Sequence, residues 1–362
     1  MRFFKKTLAL LCALLALAGC SKAAEGESPS ETPLASGGEK TAFLSNVSVK
    51  EIPSEALFAG GFGYGYGSGS TVAQWLDGTR ALICTYGEYS PFDSENHPVR
   101  IFILDAAKEE LFLLRELDLS RPPLIGAAVK ENFAFIYFSK EPFYLSVNLD
   151  DNSVEELPCK VEYVEGKISL GGFFPLQSGN SFYGRDAFGN KKLICSDLPG
   201  YSFEAWSPMG NYLLFRKQSS KKAPEYFVCG LLGKGFEIKL NSPKGDVAFC
   251  GEEPYLLVCD TEDGGGNDKI VSAEDGGAIS VKSPEHTYLI ERSFTLFAAE
   301  NYDLCAVDNF TGKVFEGIIP SKNGSYQNLF CIYNPESGLV LTLNTENGSL
   351  FIIKTECDRH QK

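Results

Sequence analysis

Apolar and polar positions alternate along most of this chain with a period of two, and the alternation is broken at regular distances by turn chemistry. Seven stretches show it best. QWLDGTRALICTY starts at Gln74, AVKENFAFIYFS at Ala128, PLQSGNSFYGRD at Pro175 and AWSPMGNYLLFRK at Ala205. FCGEEPYLLVCD starts at Phe249, VKSPEHTYLIER at Val281 and IYNPESGLVLTL at Ile332. Each has an apolar approach, a tight polar turn and then a strongly apolar run rich in β-branched and aromatic residues, which is the signature of paired strands. The turn residues tolerate φ > 0 or supply local hydrogen bonds. No window of helical length carries a convincing apolar stripe of period 3.6. KEELFLLREL, from Lys108, comes nearest, and its FLL core suits a strand as well.

The second turn residue of each unit serves as a marker: Gly78, Asn132, Asn180, Gly210, Glu253, His286 and Ser337. Their mean spacing is about 43 residues, with individual intervals from 30 to 54. A four-stranded propeller blade takes about 40–45 residues. The pattern predicts an all-β chain folded as a single β-propeller of four-stranded blades over residues 43–357. Seven blades are expected, with six or eight as alternatives, and residues 358–362 are expected to be a disordered C-terminus.

The fourth unit carries a family resemblance. AWSPMGNYLLF, residues 205–215, resembles the W-S-P-D-G-x-x-L-x-F repeat of TolB-type (WD40-like) propellers, with Met209 where that repeat has Asp. KSPEHTYLI from Lys282 and QWLDGTRALI from Gln74 are weaker echoes. The resemblance implies a propeller whose Trp75 and Trp206 are blade-core residues. It implies a role as an envelope interaction partner only in outline.

The N-terminus departs from the pattern. MRFFKK carries Arg2, Lys5 and Lys6, and the uncharged apolar run TLALLCALLALA follows over 12 residues. That run is too short for a stable transmembrane anchor and fits the core of a signal peptide. Leu17-Ala18-Gly19-Cys20 resembles the lipobox of bacterial lipoproteins. The resemblance implies removal of residues 1–19, a diacylglycerol thioether on Cys20, and further acylation (palmitate) of the new N-terminus. Paired lipid chains hold a protein on a membrane where one chain is marginal. Residues 21–40, SKAAEGESPSETPLASGGEK, have Leu34 as their one large apolar residue. Residues 20–42 are therefore expected to be a lipidated, flexible tether. The expected location is extracytoplasmic, anchored to a bacterial membrane.

Charge narrows the partners. The formal net charge is −14, and loss of the leader brings it to about −17. Such acidity argues against nucleic acid and against an electrostatic grip on anionic lipid. Beyond Cys12 and Cys20, nine cysteines remain, none in a C-x-x-C. Most sit in strand-like runs such as ALIC and LLVC, where Cys acts as a small hydrophobe. One or two disulfides are compatible with export, Cys250–Cys259 among them, and buried free thiols are equally so. Only His97, His286 and His360 exist, without metal-ligand spacing, so no metal and no cofactor are expected.

FAGGFGYGYGSGS, residues 58–70, is the one stretch resembling a phosphate cradle. It contains neither G-x-G-x-x-G nor G-x-x-x-x-G-K-[ST], and no helical pattern follows. Its period is two, with Phe62, Tyr64 and Tyr66 on one face and glycines on the other. It is expected to be an inner or edge strand of the first blade. Alternatively Phe62, Tyr64 and Tyr66 form an exposed aromatic ladder that stacks on a sugar or a partner peptide, with the 88–98 loop beside it.

Catalytic signatures are sparse. No G-x-S-x-G occurs, so the hydrolase domain found with such propellers in oligopeptidases is not expected. DTEDGGGNDK, residues 260–269, lacks the order of a calcium loop. Asn323-Gly324 and Asn347-Gly348 suit hairpin turns. The chain is therefore expected to be a non-enzymatic, monomeric, lipid-anchored propeller that binds a protein or glycan. The alternative is a polysaccharide hydrolase or lyase, which would need carboxylates converging at the channel mouth.

Overall fold

The computed structural model describes residues 42–359, except 64–72, 88–96, 120–124, 139–140, 161–171, 187, 209, 219–223, 232–234, 240–245, 252–253, 260–267, 282–283, 285 and 322–326. Among the described residues the fold is seven antiparallel sheets arranged as a seven-bladed β-propeller. Blade 1 comprises β2 (Ala73–Trp75), β3 (Arg80–Tyr86), β4 (His97–Asp105) and β5 (Glu110–Leu119). Blade 2 comprises β6 (Ile125–Lys130), β7 (Phe133–Phe138), β8 (Phe143–Asn148) and β9 (Val154–Pro158). Blade 3 has three strands, β10 (Phe174–Ser178), β11 (Ser181–Arg185) and β12 (Lys191–Cys195). Blade 4 comprises β13 (Ser202–Trp206), β14 (Tyr212–Lys217), β15 (Glu225–Gly230) and β16 (Gly235–Lys239). Blade 5 comprises β17 (Asp246–Phe249), β18 (Tyr255–Cys259), β19 (Asp268–Ser272) and β20 (Ala278–Val281). Blade 6 comprises β21 (Thr287–Ile290), β22 (Phe294–Ala298), β23 (Leu304–Asp308) and β24 (Val314–Ile319).

Blade 7 closes the ring. Its strands run β25 (Leu329–Asn334), β26 (Leu339–Asn344) and β27 (Leu350–Arg359), and the fourth is β1 (Ala42–Ile52), from the other end of the chain. β1 and β27 pair antiparallel from Ala42↔Arg359 to Ile52↔Leu350. The Asp308 carboxylate of blade 6 also accepts a hydrogen bond from the Leu44 amide. The first and last described strands are thus held in one sheet.

Seven apolar clusters fill the seven seams between successive blades. Leu82, Ile101, Ile136 and Leu145 lie between blades 1 and 2, and Phe174 meets Tyr137 and Tyr144 between 2 and 3. Phe182, Phe203, Trp206 and Phe215 fill the seam between 3 and 4. Leu256 joins Val228 between 4 and 5, and Ile290 packs on Tyr255 between 5 and 6. Phe294 and Val340 share the seam between 6 and 7, and Trp75, Ile83 and Leu341 that between 7 and 1. A strand between two seams is apolar on both faces, which is why β3 is buried almost throughout and reads as one apolar run. Outer strands have one wet edge, and β5 alternates between exposed and covered positions. Both tryptophans are seam residues. Trp75 Nε1 donates to the Ile332 carbonyl at 3.0 Å, and the Trp206 ring meets Phe203 edge-on at 5.5 Å.

Six of the seven turn markers fall between the first two strands of a blade. His286 does not: it precedes β21, and the equivalent turn of blade 6 holds Glu291, Arg292 and Ser293. The glycine run is described only to Gly63. Glu55–Phe58 forms a short helix, α1, Ala59–Gly61 a 3₁₀ turn, and Gly63 then bridges antiparallel to Tyr86 of blade 1. The nine cysteines are free. Cys250 and Cys259 are separated along one hairpin, because Cys259 pairs with Asp246 while Cys250 lies beyond β17.

Among the described residues no helix is long and apolar enough to cross a membrane.

Candidate functional site

Of the sequence-derived site residues, Cys20, Tyr64 and Tyr66 lie outside the described residues, as do residues 88–96 and His360. Phe62 is described and is buried, with 8% of its surface exposed. The Arg100 guanidinium stacks over its ring at 3.8 Å. Arg100 also donates to the Ala59 carbonyl and pairs with Glu116 at 2.8 Å, so one cation pins the whole turn. Phe62 acts there as a packing residue. α1 docks on blade 7, where Phe58 lies against Gly348 and Ser54 Oγ donates to the Gly348 carbonyl at 2.9 Å.

The fourth-blade motif is the turn between β13 and β14. Ser207 Oγ accepts the Tyr212 amide at 3.0 Å and Gly210 takes φ +80°. A serine hydroxyl and a glycine thus close the hairpin.

Two arrangements fall outside the sequence-derived site residues. The first is Glu291, in the turn between β21 and β22. It is 8% exposed, and burial alone pushes its carboxyl up to about 8. Its neighbours are Cys250 of blade 5, whose thiol is raised by burial and by the Glu291 charge, and Tyr333 of blade 7, raised by burial first. Asn309 holds the turn through the Glu291 carbonyl at 2.7 Å. Arg292 lies over the Tyr255 ring at 4.2 Å. A carboxyl that stays protonated at neutral pH is a competent general acid.

The second is the outer edge of blade 3. β12 ends at Cys195 and β13 begins at Ser202, and the six residues between are too few for a fourth strand and two connections. Among the described residues β12 is therefore an edge strand, and its outward amides and carbonyls have no ladder partner there. Lys191, Lys192 and Leu193 are exposed along it, Leu193 at 54%. Phe188, in the hairpin turn leading into β12, is 68% exposed, the highest value among the large apolar side chains described. Asp186 holds that turn by accepting the Phe188 and Asn190 amides at 3.0 and 2.8 Å. On the inward side Ile194 and Cys195 anchor the strand to the cluster of Phe182 and Phe203. Cys195 meets Cys229 of blade 4, and this hydrogen bond, with burial, raises its pKa. A rigid inner face thus presents an unpaired outer edge with two cations and two bare apolar side chains. One sequence signal pointed to it: the interval of 30 residues between Asn180 and Gly210, too short for a full blade.

No family model matches this chain, and no curated protein matches it. Solved structures share its ring shape. An oligogalacturonate lyase in complex with manganese is 11% identical, with a TM-score of 0.48, and the match covers 88% of this chain and 99% of that one. A chain of the mitotic checkpoint complex is 10% identical at a TM-score of 0.46, covering 93% and 99%. TolB from Acinetobacter baumannii is 12% identical at 0.32, covering 76% and 81%. Similarity at this level carries no argument about function, which rests on the chain's own residues.

Proposed function

We propose that this chain is a lipid-anchored, non-enzymatic propeller that holds a protein partner at the bacterial cell envelope. The observation that carries this reading is the incomplete third blade, where Lys191, Lys192, Leu193 and Phe188 stand exposed on an unpaired strand edge. Exposed apolar side chains grouped beside charge are a common feature of protein interaction sites. Support for the anchor comes from the leader, the lipobox-like Leu17–Cys20 and the tether that follows. A ring closed by β1 suits this work, since its surface is pre-organised and little ordering entropy is lost on binding.

The test is made in a bacterial host expressing the full chain. Labelled palmitate should enter the wild type and not Cys20→Ser, and the variant should leave the membrane fraction. Chemical crosslinking in the envelope should join the anchored chain to a protein. A glycan on an array, with no crosslinked protein, would replace the partner class. Turnover of polygalacturonate, abolished by Glu291→Gln, would replace the reading with an enzymatic one.

A further inference from the structure

We infer that the outer edge of β12 receives an extended, acidic segment of the partner protein as the missing fourth strand of blade 3. This rests on the protein-binding reading above and names the site and the chemistry of its occupant.

Three observations converge. The blade is short by a strand, so its edge offers an unfilled ladder at the position the other blades fill from their own chain. An added strand would complete that ladder through main-chain hydrogen bonds, the mode of β-strand addition. The edge is also fixed in place, because Phe182 is fully buried with its ring 5.1 Å from those of both Phe203 and Phe215. Finally, its side chains select a partner. Lys191 and Lys192 favour carboxylates opposite them, and Leu193 and Phe188 favour apolar residues.

The same features exclude a second copy of this chain. Lysine on an edge strand is a natural defence against edge-to-edge self-pairing. The β-bulge where Phe182 opposes Cys195 and Tyr183 opposes Leu193 twists the edge and further discourages a flat self-pair. Against an acidic strand the same lysines become attractive.

The experiment uses the full chain in detergent and two short capped peptides, one built on Val-Glu-Glu and the other on Val-Lys-Lys, so that successive residues face Leu193, Lys192 and Lys191. Fluorescence anisotropy should show saturable binding of the Glu peptide, with the Lys peptide weaker by about tenfold or more. Hydrogen exchange should slow at residues 191–195 when the Glu peptide is present. The double variant Lys191→Glu, Lys192→Glu should invert the preference, and Leu193→Pro should abolish binding. Should Leu193→Pro fail to fold, the charge-reversed protein decides, since its substitutions are exposed. Absence of saturable binding overturns the inference. So does binding that ignores charge reversal, or protection confined to other residues. Envelope crosslinking separates the two claims: a protein crosslinked equally by wild type and the charge-reversed chain leaves the scaffold standing and removes the β12 edge.

Discussion

At the residue scale, single groups reveal what the ring requires locally. Glu291 is the clearest. Its carboxyl rises from 4.5 to about 8 in the fold because burial disfavours the charge. The unfolded chain ionises it near 4.5, so the folded state holds the extra proton between those values. Stability contributed by the protonated form is fully present below 4.5 and is lost as pH rises to about 8, on the order of a few kcal/mol. The groups facing it there are Cys250, Tyr333 and Arg292. Urea midpoints across that range should fall for the wild type and flatten for Glu291→Gln; an unchanged slope in the variant would assign the dependence elsewhere. Gly348 makes a different demand. It takes φ +77°, and a Cβ there would lie 2.5 Å from the Phe58 ring. Gly348→Ala should lose about 1–2 kcal/mol through its backbone alone. More is lost through the clash, and Phe58→Ala in the same chain should recover that second part. Asn347-Gly348 reads as a turn in sequence; that its glycine also seats α1 is a contact made across distant parts of the chain.

At the scale of elements, β1 and blade 3 matter most. β1 supplies the outer strand of blade 7, and its Leu44 and Ile52 enter the seams on either side. Removing residues 42–52 should leave β27 with an open edge and unfold or aggregate the chain. A peptide AFLSNVSVKEI added in trans should restore the buried environment of Trp75, read by its fluorescence; no recovery would place closure elsewhere. Period-two alternation identified β1 as strand-like no better than its neighbours, because pairing with β27 spans almost the whole chain. Blade 3 shows the reverse. Its deficit was legible as a short interval, yet which strand was missing was not. The sheet order β10-β11-β12 and the short connection from Cys195 to Ser202 decide that, and only the fold sets them.

At the scale of the molecule, closure makes the seven seams one cooperative unit. Trp75 lies between blades 7 and 1, and Trp206 between blades 3 and 4. Single-tryptophan variants, Trp75→Phe and Trp206→Phe, should report the same urea midpoint, coincident with far-UV circular dichroism. Separate midpoints would show a ring that opens in parts. Free thiols should not disturb this, since Cys84 and Cys250 are pushed up by burial and Cys331 up to about 12, which keeps them poor nucleophiles.

The sequence by itself determined the all-β repeat, the turns between strands and an expectation of seven blades with six or eight as alternatives, because each hairpin is written in neighbouring residues: alternation for the strands, and Gly, Asn and Pro for the turns. One marker was misplaced for the same local reason. His286 adopts φ +59° and looks like a turn residue, but its turn leads into blade 6 rather than through it. The tertiary structure alone decided the burial of Phe62 beneath Arg100, the raised carboxyl of Glu291 and the return of β1 to blade 7. Each depends on groups far apart in the chain, and burial and long-range pairing leave no period in the sequence to read.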